Sequence, residues 1–420
     1  MPNNFVRRKI GKEIYFSSIT DSRFKQNMIA VTFIAPLSEE TASENAVAAK
    51  ILTKCSKKYP TYAQLCNKLS SLYSAVLAGG VLAYGDTQIT SFSVNYIDNK
   101  YAINTEKVGD EALDILLGCL FEPLTENNGF FAKITELEKK TLIDKIEAEL
   151  NDKQYYASQK SDEIIFRNEP ASIRDTGSAA SVKRVTAKSA YNAYQRLLKR
   201  SRIEIICSGC SSFEDVKEKI TRIFSKLPRE DIFPRSDRFS PLKPQTERVC
   251  EKLDVQQTKM ILAFKSDFEN YRAMSLMSDI YGGSPTSKLF LNVREKMSLC
   301  YGCWSSYNKE KGVLKIHCGI EKANIEKAEQ EIIAQLTQMQ KGEFSQKDID
   351  SAKQSCKNSI KAYNDSLNHI AVWYLMGIYD DNILSPEESI ERYEKVTKEE
   401  IVKAAQSLKL DTVYILTSPD

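Results

Sequence analysis

One short pattern occurs twice in this chain of 420 residues, at positions 211 residues apart. The first copy, Val185-Thr186-Ala-Lys188, precedes an amphipathic stretch and then the apolar run Ile203–Ile206. The second copy, Val396-Thr397-Lys-Glu399, precedes a similar stretch and another apolar run. Threonine is suited to cap a helix, because its hydroxyl accepts a hydrogen bond from a free backbone N–H. The spacing is much longer than the repeat of a solenoid, so the pattern predicts a duplicated domain.

Prolines are concentrated in one stretch between the two copies, residues 224–247. They are Pro228, Pro234, Pro241 and Pro244. Because proline lacks a backbone N–H and blocks helix formation, this stretch predicts an extended linker. We therefore divide the chain into an N-terminal domain of residues 1–227, a linker of residues 228–247 and a C-terminal domain of residues 248–420.

The apolar periodicity predicts a similar order of strands and helices in the two halves. In the first half we expect strands at 28–34 and 88–97, and helices at 43–55, after Thr61, at 106–121 and from 130 to beyond 156. In the second half we expect strands at 259–264, 299–307 and 312–320, and helices at 270–280, ending at Arg294, at 323–341 and at 346–376. This order indicates an α+β protein of two tandem homologous α/β-sandwich domains, each an antiparallel-rich sheet covered by helices.

Charge and hydropathy exclude several classes of function. Lys and Arg number 59 and Asp and Glu 56, which gives a formal net charge of +3. No basic stretch with interleaved aromatic residues is present, so we expect no nucleic acid partner. No apolar run approaches the ~20 residues that cross a bilayer, and the N-terminus has no secretory signal, so we expect a cytoplasmic protein that binds no membrane.

The chain contains only two histidines, His317 and His369. A zinc peptidase motif of the type His-x-x-Glu-His needs two imidazoles about one helical turn apart. These two histidines are about fifty residues apart, so the sequence has no such motif. We therefore expect no zinc cofactor held by histidines and no ordinary hydrolytic activity from this chain alone.

Ten cysteines form the other notable set, and four of them lie in two C-x-x-C pairs. These pairs are Cys207/Cys210 and Cys300/Cys303. Four thiolates can hold a structural zinc ion, so a shared metal site is an alternative. Both pairs lie in strand-like runs rather than on tight turns, and we expect reduced, mostly buried thiols.

A motif in the second half runs Ser287-Lys-Leu-Phe-Leu-Asn-Val-Arg294-Glu-Lys-Met-Ser-Leu-Cys-Tyr301. It resembles the C-terminal domain of the processing-peptidase-like branch of the pitrilysin/insulinase family, whose pattern is roughly S-R-L-F-x-x-x-R-E-x-x-x-L-x-Y. The resemblance extends over essentially the whole chain and implies that the two domains form a clam-shell. It also implies that Arg294 and Tyr301 bind substrate, since the family uses this pair opposite its zinc ion.

The first half is similar to the same family but lacks its zinc ligands. The stretch Lys57-Lys-Tyr-Pro-Thr61 resembles the one that follows the family's His-x-x-Glu-His helix, which places Ala46, Ala49 and Lys50 at the positions of that motif. The family's third ligand corresponds to Lys145, seven residues after Glu138. Alanine has no donor atom and protonated lysine repels a cation, so the resemblance implies a degenerate metal site.

The most similar branch is a zinc-less bacterial group, called YfmF-like and associated by name with elongation-factor-P modification. Its members are expected to pair with a zinc-bearing paralogue. We therefore predict a non-catalytic subunit of a heterodimeric zinc peptidase, which positions an extended peptide or protein substrate. The alternative is a stand-alone peptide-binding or scaffold protein with the same fold.

Two local features complete the expectations. Residues 88–97 are a candidate edge strand that could receive a substrate peptide as an added strand, although a central position is as consistent with their sequence. Gly79-Gly80 and Gly282-Gly283 lack the pattern of a phosphate-binding loop, so we expect turns there.

Overall fold

Two β-sheets organise the chain, which this computed structural model describes over residues 4–103, 106–233 and 239–419. The strands are β1 (Asn4–Gly11), β2 (Ile14–Thr20), β3 (Gln26–Pro36), β4 (Val76–Tyr84), β5 (Thr87–Ile97), the short β6 (Thr125–Glu126) and β7 (Gly129–Phe130), β8 (Arg202–Gly209), β9 (Glu247–Lys252), β10 (Thr258–Lys265), β11 (Cys300–Asn308), β12 (Val313–Ile320) and β13 (Lys409–Thr417).

The helices flank these sheets. They are α1 (Ala42–Leu52), α2 (Tyr62–Ser71), α3 (Val108–Phe121), α4 (Ala132–Ala148), α5 (Lys153–Ile165), α6 (Ala179–Arg184), α7 (Ala187–Arg200), α8 (Glu214–Phe224), α9 (Tyr271–Ser278), α10 (Ile325–Gln340), α11 (Gln346–Tyr363), α12 (Leu367–Tyr379), α13 (Pro386–Glu394) and α14 (Lys398–Ser407). Two π-helical segments, Asp279–Gly283 and Leu289–Lys296, follow α9. Among the described residues, no helix is both long enough and apolar enough to cross a membrane.

Five strands follow the same order in the two sheets, and the first sheet has β1 as an additional edge strand. The first sheet runs β1-β2-β8-β3-β5-β4 and the second runs β11-β12-β10-β13-β9. In the first, β2 is parallel to β8, and in the second, β9 is parallel to β13, whereas the other neighbouring strands are antiparallel. The series β2-β8-β3-β5-β4 therefore corresponds to β9-β13-β10-β12-β11. The predicted α+β class and the two similar, antiparallel-rich sheet domains are confirmed.

The helix caps predicted from the repeated pattern are also present. Thr186 caps α7 in a capping box with Ser189, and Thr397 caps α14 in a capping box with Glu400. In each box the threonine hydroxyl accepts a backbone N–H, and the side chain three residues later binds the backbone N–H of the threonine. The helices α7 and α14, which precede β8 and β13, thus begin in the same way.

Each sheet is covered on both faces. Within β10, Met260, Leu262 and Phe264 belong to the main core beneath the helices, whereas Ile261 and Ala263 face the other side. Alternate strand residues point to opposite faces, which explains why β10 is apolar throughout. The second face of this sheet packs against α5, and the second face of the first sheet packs against α12.

The helices α5 and α12 are exchanged between the halves of the sequence. Contacts divide the chain into unit one (Met1–Glu147, Ile173–Ser236 and Tyr363–Ser385) and unit two (Ala148–Ser172, Asp237–Ala362 and Pro386–Asp420). The helix α5 comes from the first half but belongs to unit two, and α12 comes from the second half but belongs to unit one. The predicted contiguous domains, 1–227 and 248–420, do not include this exchange. Residues 234–238 of the predicted linker lie outside the described residues.

Both long predicted helices are interrupted near these changes of unit. The helix expected from 130 to beyond 156 ends at Ala148, and α5 begins after Asp152, whose carboxylate accepts the backbone N–H groups of Gln154 and Tyr155. The helix expected at 346–376 divides in the same way, and Ser366 caps α12. These predictions of continuous helices were wrong because apolar periodicity does not reveal that the chain passes to another sheet.

Candidate functional site

The helix α1 carries the residues that replace the expected zinc motif. Ala46 is 3% exposed and Ala49 is fully buried, whereas Lys50 is half-buried. Ala49 faces the edge strand β4 at close range, since a Cβ added at Gly79 would lie 3.2 Å from the Ala49 carbonyl oxygen. The helix thus forms as predicted, but its buried face is lined by methyl groups and packs tightly on the sheet.

Buried amides fix the start of α1. The Asn45 side chain donates a 2.8 Å hydrogen bond to the Gln88 carbonyl oxygen. The Gln88 amide in turn donates to the backbone oxygen of Ala42, at 3.0 Å. Both amide side chains are almost completely buried, so each depends on these partners. A satisfied polar network therefore sets the position of α1 relative to β5.

The fourth degenerate position, Lys145, is exposed in the last turn of α4. Its ammonium lies close enough to Asp175 to oppose the effect of burial, yet burial prevails and raises the pKa of that carboxyl. Glu138, one helical heptad earlier, is buried at 6% exposure. The first acid that the family resemblance implies is thus present as Glu138, whereas a lysine, Lys145, occupies the position of the family's third zinc ligand.

The donor set at these four positions does not fit a zinc ion. Zinc takes thiolate, imidazole or carboxylate donors, and the side chains here are two alanine methyl groups and two lysine side chains. In the described part of the chain, no group of three or more His, Cys, Asp or Glu residues is placed to hold a metal ion. The two C-x-x-C pairs lie in different units, Cys207/Cys210 in unit one and Cys300/Cys303 in unit two.

Arg294 lies in the π-helical segment that precedes β11. Its guanidinium is 4.6 Å from the centre of the Phe290 ring, and its Nε is 3.6 Å from a carboxylate oxygen of Glu295. The side chain remains 41% exposed. Local contacts therefore orient the guanidinium, while part of its fork of donors faces solvent.

Tyr301 lies at an irregularity in the edge strand β11. Cys300 pairs with Ile320 and Gly302 pairs with Gly319, so Tyr301 is an extra residue that forms a β-bulge. The bulge directs its ring outward, and Tyr301 is 64% exposed. Its hydroxyl donates a 3.1 Å hydrogen bond to Glu321, and this bond raises the pKa of the phenol.

The structure places Arg294 and Tyr301 in one unit, on consecutive elements. Arg294 lies close enough to Cys300, the neighbour of Tyr301, to lower the pKa of that thiol. The turn between them contains Ser298 with a φ of +51°, and the Leu299 N–H donates to the Val293 carbonyl. Both side chains are exposed donors on this short stretch, and their convergence on one substrate atom stays a prediction.

Of the two positions that the sequence allows for residues 88–97, the structure shows the central one. Residues 88–97 lie within β5, which pairs with β3 on one side and β4 on the other. The edge is β4, where Val76 and Leu82 are more than half exposed. Gly79 and Gly80 lie inside this strand, so the predicted turn was wrong. The apolar residues on both sides of the glycine pair, Leu-Ala before it and Val-Leu after it, indicated a strand rather than a turn. Glycine within a strand permits the close approach of a helix.

Sequence comparisons identify known proteins that are similar to this chain. Residues 184–356 match the family model for the peptidase M16 inactive domain. The chain is 26% identical to the probable inactive metalloprotease YmfF of Bacillus subtilis, over 95% of this chain and 94% of that protein. It is also 26% identical to the uncharacterized zinc protease YmxG of the same organism, over 30% of this chain and 32% of that protein.

A solved structure extends the likeness to the fold of the whole chain. The crystal structure of a conserved protein from Enterococcus faecalis superposes with a TM-score of 0.91, at 27% identity, over 99% of both chains. None of the relatives named here refers to elongation factor P, so that association stays a prediction. The expected family resemblance is confirmed: part of the chain matches the model of the peptidase M16 inactive domain, and nearly the whole chain is similar to a probable inactive metalloprotease.

Proposed function

We propose that this chain is the non-catalytic subunit of a two-chain zinc peptidase and positions an extended peptide for a zinc-bearing paralogue. One observation carries the proposal: the exposed pair Arg294 and Tyr301 is retained, while methyl groups and amines replace the metal ligands. Loss of all ligands with retention of the substrate-binding pair is expected when a partner supplies the metal.

The chemistry of the retained pair suits a peptide backbone. A guanidinium offers a rigid fork of N–H donors, and a phenol offers one O–H donor. The raised pKa of Tyr301 keeps its single O–H proton in place at neutral pH, and a bound peptide carbonyl would replace Glu321 as the acceptor of that proton. Such donors can bind a peptide carbonyl and stabilise the oxyanion that forms from it during hydrolysis.

Support for a paralogous partner comes from the relatives. In Bacillus subtilis, one protein similar to this chain is named an inactive metalloprotease and another is named a zinc protease. An organism that holds both types has the components of a mixed pair. We infer that the present chain pairs with a paralogue that carries His-x-x-Glu-His, and that both act in the cytoplasm.

The test is co-expression with the His-x-x-Glu-His paralogue of the same genome, followed by gel filtration and a fluorogenic peptide assay. We expect a mixed complex that cleaves the peptide, and weaker cleavage in the Arg294→Ala and Tyr301→Phe variants. Arg392→Ala is the matched control, because Arg392 is an exposed arginine elsewhere in unit two. Absence of a complex, with no cleavage above that of the paralogue alone, would overturn the proposal.

A second candidate is a stand-alone peptide-binding or scaffold protein. The exposed edge strand β4 favours it, since an edge strand can receive a peptide by backbone hydrogen bonds without a peptidase. Fluorescence anisotropy with labelled extended peptides distinguishes the two functions. Tight binding by the chain alone, with no effect of the paralogue on affinity and no cleavage, supports the second candidate.

A further inference from the structure

Three buried cysteines of unit two lie together beneath the edge of the second sheet. Cys300 and Cys303 are in β11 and Cys318 is in the adjacent β12. Their exposures are 9%, 4% and 1%. All three belong to the main hydrophobic core of unit two. No feature of the proposed peptide-positioning function uses this cluster.

The β-bulge brings two of these thiols to the same face. Residues three apart in a regular strand point to opposite faces of a sheet. Here Tyr301 is an extra residue that shifts the alternation of side chains by one position. Cys300 and Cys303 therefore lie on the same, buried face of the sheet, while Tyr301 is exposed. Two C-x-x-C sulfurs on an edge strand thus become neighbours through the backbone irregularity rather than through a turn.

The third thiol is aligned by strand register. Cys303 lies directly opposite Cys318 in the antiparallel pair of β11 and β12. Opposite residues in such a pair have Cα atoms about 4.5–5.5 Å apart. A disulfide requires a Cα separation of about 4.4–6.8 Å. This pair therefore has the backbone spacing for a cross-strand disulfide.

Cys300 differs from the other two thiols in its electrostatic surroundings. The Cys303 and Cys318 thiols, Arg294 and the backbone N–H of Gly302 lower the pKa of Cys300 and outweigh the effect of burial. The interaction with Cys300 raises the pKa of both Cys303 and Cys318. The lowered pKa favours the thiolate form of Cys300, the raised pKa values favour the protonated forms of Cys303 and Cys318, and the thiolate is the nucleophilic form of cysteine.

We propose that Cys300, Cys303 and Cys318 form a peroxide-reactive thiol site whose stable oxidised product is a Cys303–Cys318 disulfide. The Cys300 thiolate attacks hydrogen peroxide, the O–O bond breaks, and hydroxide leaves behind a sulfenic acid. The Cys318 sulfur then displaces the sulfenic OH, which takes up the thiol proton and departs as water.

Exchange completes the reaction. Cys303 gives its proton to the hydroxide from the first step, attacks the Cys318 sulfur and releases Cys300 as a thiolate. The lower pKa of Cys300 makes it the better leaving group. In total, two thiols and one peroxide give one disulfide and two waters. This site is independent of the proposed peptidase function, since it requires no partner and no peptide.

Peptide mapping of the full-length protein tests the proposal. After brief treatment with hydrogen peroxide and alkylation, trypsin separates Cys303 from Cys318 at the intervening Lys309, Lys311 and Lys315. We expect a linked peptide pair that dithiothreitol releases. Cys300 and Cys303 lie in the same tryptic peptide, residues 297–309. Cleavage of its backbone between Tyr301 and Gly302 in the mass spectrometer shows which of the two cysteines is linked to Cys318. Absence of any linked pair under conditions that oxidise the exposed Cys250 would overturn the proposal.

Variants assign the roles of the three thiols. In Cys300→Ser, disulfide formation should slow by roughly tenfold or more, because the remaining thiols are protonated. In Cys318→Ser, the sulfenic acid of Cys300 should persist and be trapped by dimedone. Cys250→Ser is the control and should oxidise like wild type. Should the variants fold poorly, dimedone labelling of wild type in a short pulse decides: preferential labelling of Cys250 over Cys300 contradicts the proposal.

Discussion

The hydroxyl of Tyr301 donates a 3.1 Å hydrogen bond to Glu321, across the bulge that turns this tyrosine out of the edge strand. The bond gives an exposed ring a defined direction without burying it. It also connects Tyr301 to the end of β12, which precedes Glu321. The orientation of Tyr301 thus depends on strand register as well as on its place in the motif.

Replacing Glu321 should change the acidity of Tyr301. The hydrogen bond and the charge of Glu321 raise the pKa of the phenol, so Glu321→Gln should lower that pKa toward its ordinary value. A pH titration of 13C-labelled tyrosine by NMR measures the change, and Tyr301→Phe identifies the resonance. An unchanged pKa in Glu321→Gln would show that the hydrogen bond is absent in solution.

Two neighbouring glycines of β4 should respond differently to substitution by alanine. A Cβ at Gly79 would lie 2.6 Å from Thr53 Cγ2 and 3.0 Å from Phe92 Cδ1, whereas one at Gly80 meets nothing within 4 Å. Gly79→Ala should therefore lower the free energy of unfolding by about 1–3 kcal/mol through overpacking.

Gly80→Ala is the matched control for this prediction. It should leave the free energy of unfolding unchanged or raise it by up to about 1 kcal/mol, since alanine loses less chain entropy than glycine. Urea unfolding followed by circular dichroism measures both variants. Equal effects at the two positions would mean that α1 does not pack on β4 as closely as the structure shows.

Stability should fall on acidification because of His317. This imidazole is buried, stacks on Trp304 and contacts Gln154 and Ser306, and burial together with the nearby Lys315 lowers its pKa to about 4. The unfolded chain, with an ordinary pKa of 6.5, binds the proton first as the pH falls. The stabilisation is therefore complete above pH 6.5 and is lost between pH 6.5 and 4, by roughly 3 kcal/mol at most.

A comparison of variants isolates this effect from other titrations. Between pH 7 and 5, the free energy of unfolding should fall less steeply in His317→Gln than in wild type. His369→Gln serves as the control, because His369 is exposed. A slope that is the same in wild type and His317→Gln would contradict the prediction.

Purified protein should retain no stoichiometric zinc at the degenerate positions. Alanine and lysine side chains at Ala46, Ala49, Lys50 and Lys145 supply no suitable donors. Dialysis against zinc and then metal-free buffer, followed by elemental analysis, measures the content. The Cys300→Ser variant controls for binding by the thiol cluster. One equivalent of zinc retained by both proteins would contradict the degenerate site.

The sequence was most informative where local chemistry decides the structure. The caps at Thr186 and Thr397 depend on a hydroxyl and its own turn, and both formed as predicted. The helix α1, which carries the degenerate motif, was likewise predictable, because alanine-rich segments favour helix through interactions between residues close in sequence. The exposure of Arg294 was not, because it depends on how a π-helical segment meets a sheet edge.

The features that sequence analysis missed depend on distant partners. The strand β4 contains two glycines and forms because it pairs along its length with β5. The helix interruptions before Asp152 and Ser366 mark the places where the chain passes from one sheet to the other. The spacing of apolar residues is similar in the helices before and after each interruption, so it did not reveal them. The thiol cluster required knowledge of the bulge, since regular alternation would separate Cys300 from Cys303.

The most direct test of the central claim is the kcat/KM of peptide cleavage by the complex of this chain with its zinc-bearing paralogue. With Arg294→Ala, we predict a decrease of roughly tenfold or more, because the proposed function assigns Arg294 as a donor to the developing oxyanion. Arg392→Ala should cleave like wild type, and both complexes should elute together in gel filtration. Cleavage by Arg294→Ala at the wild-type rate, within an intact complex, would contradict the account.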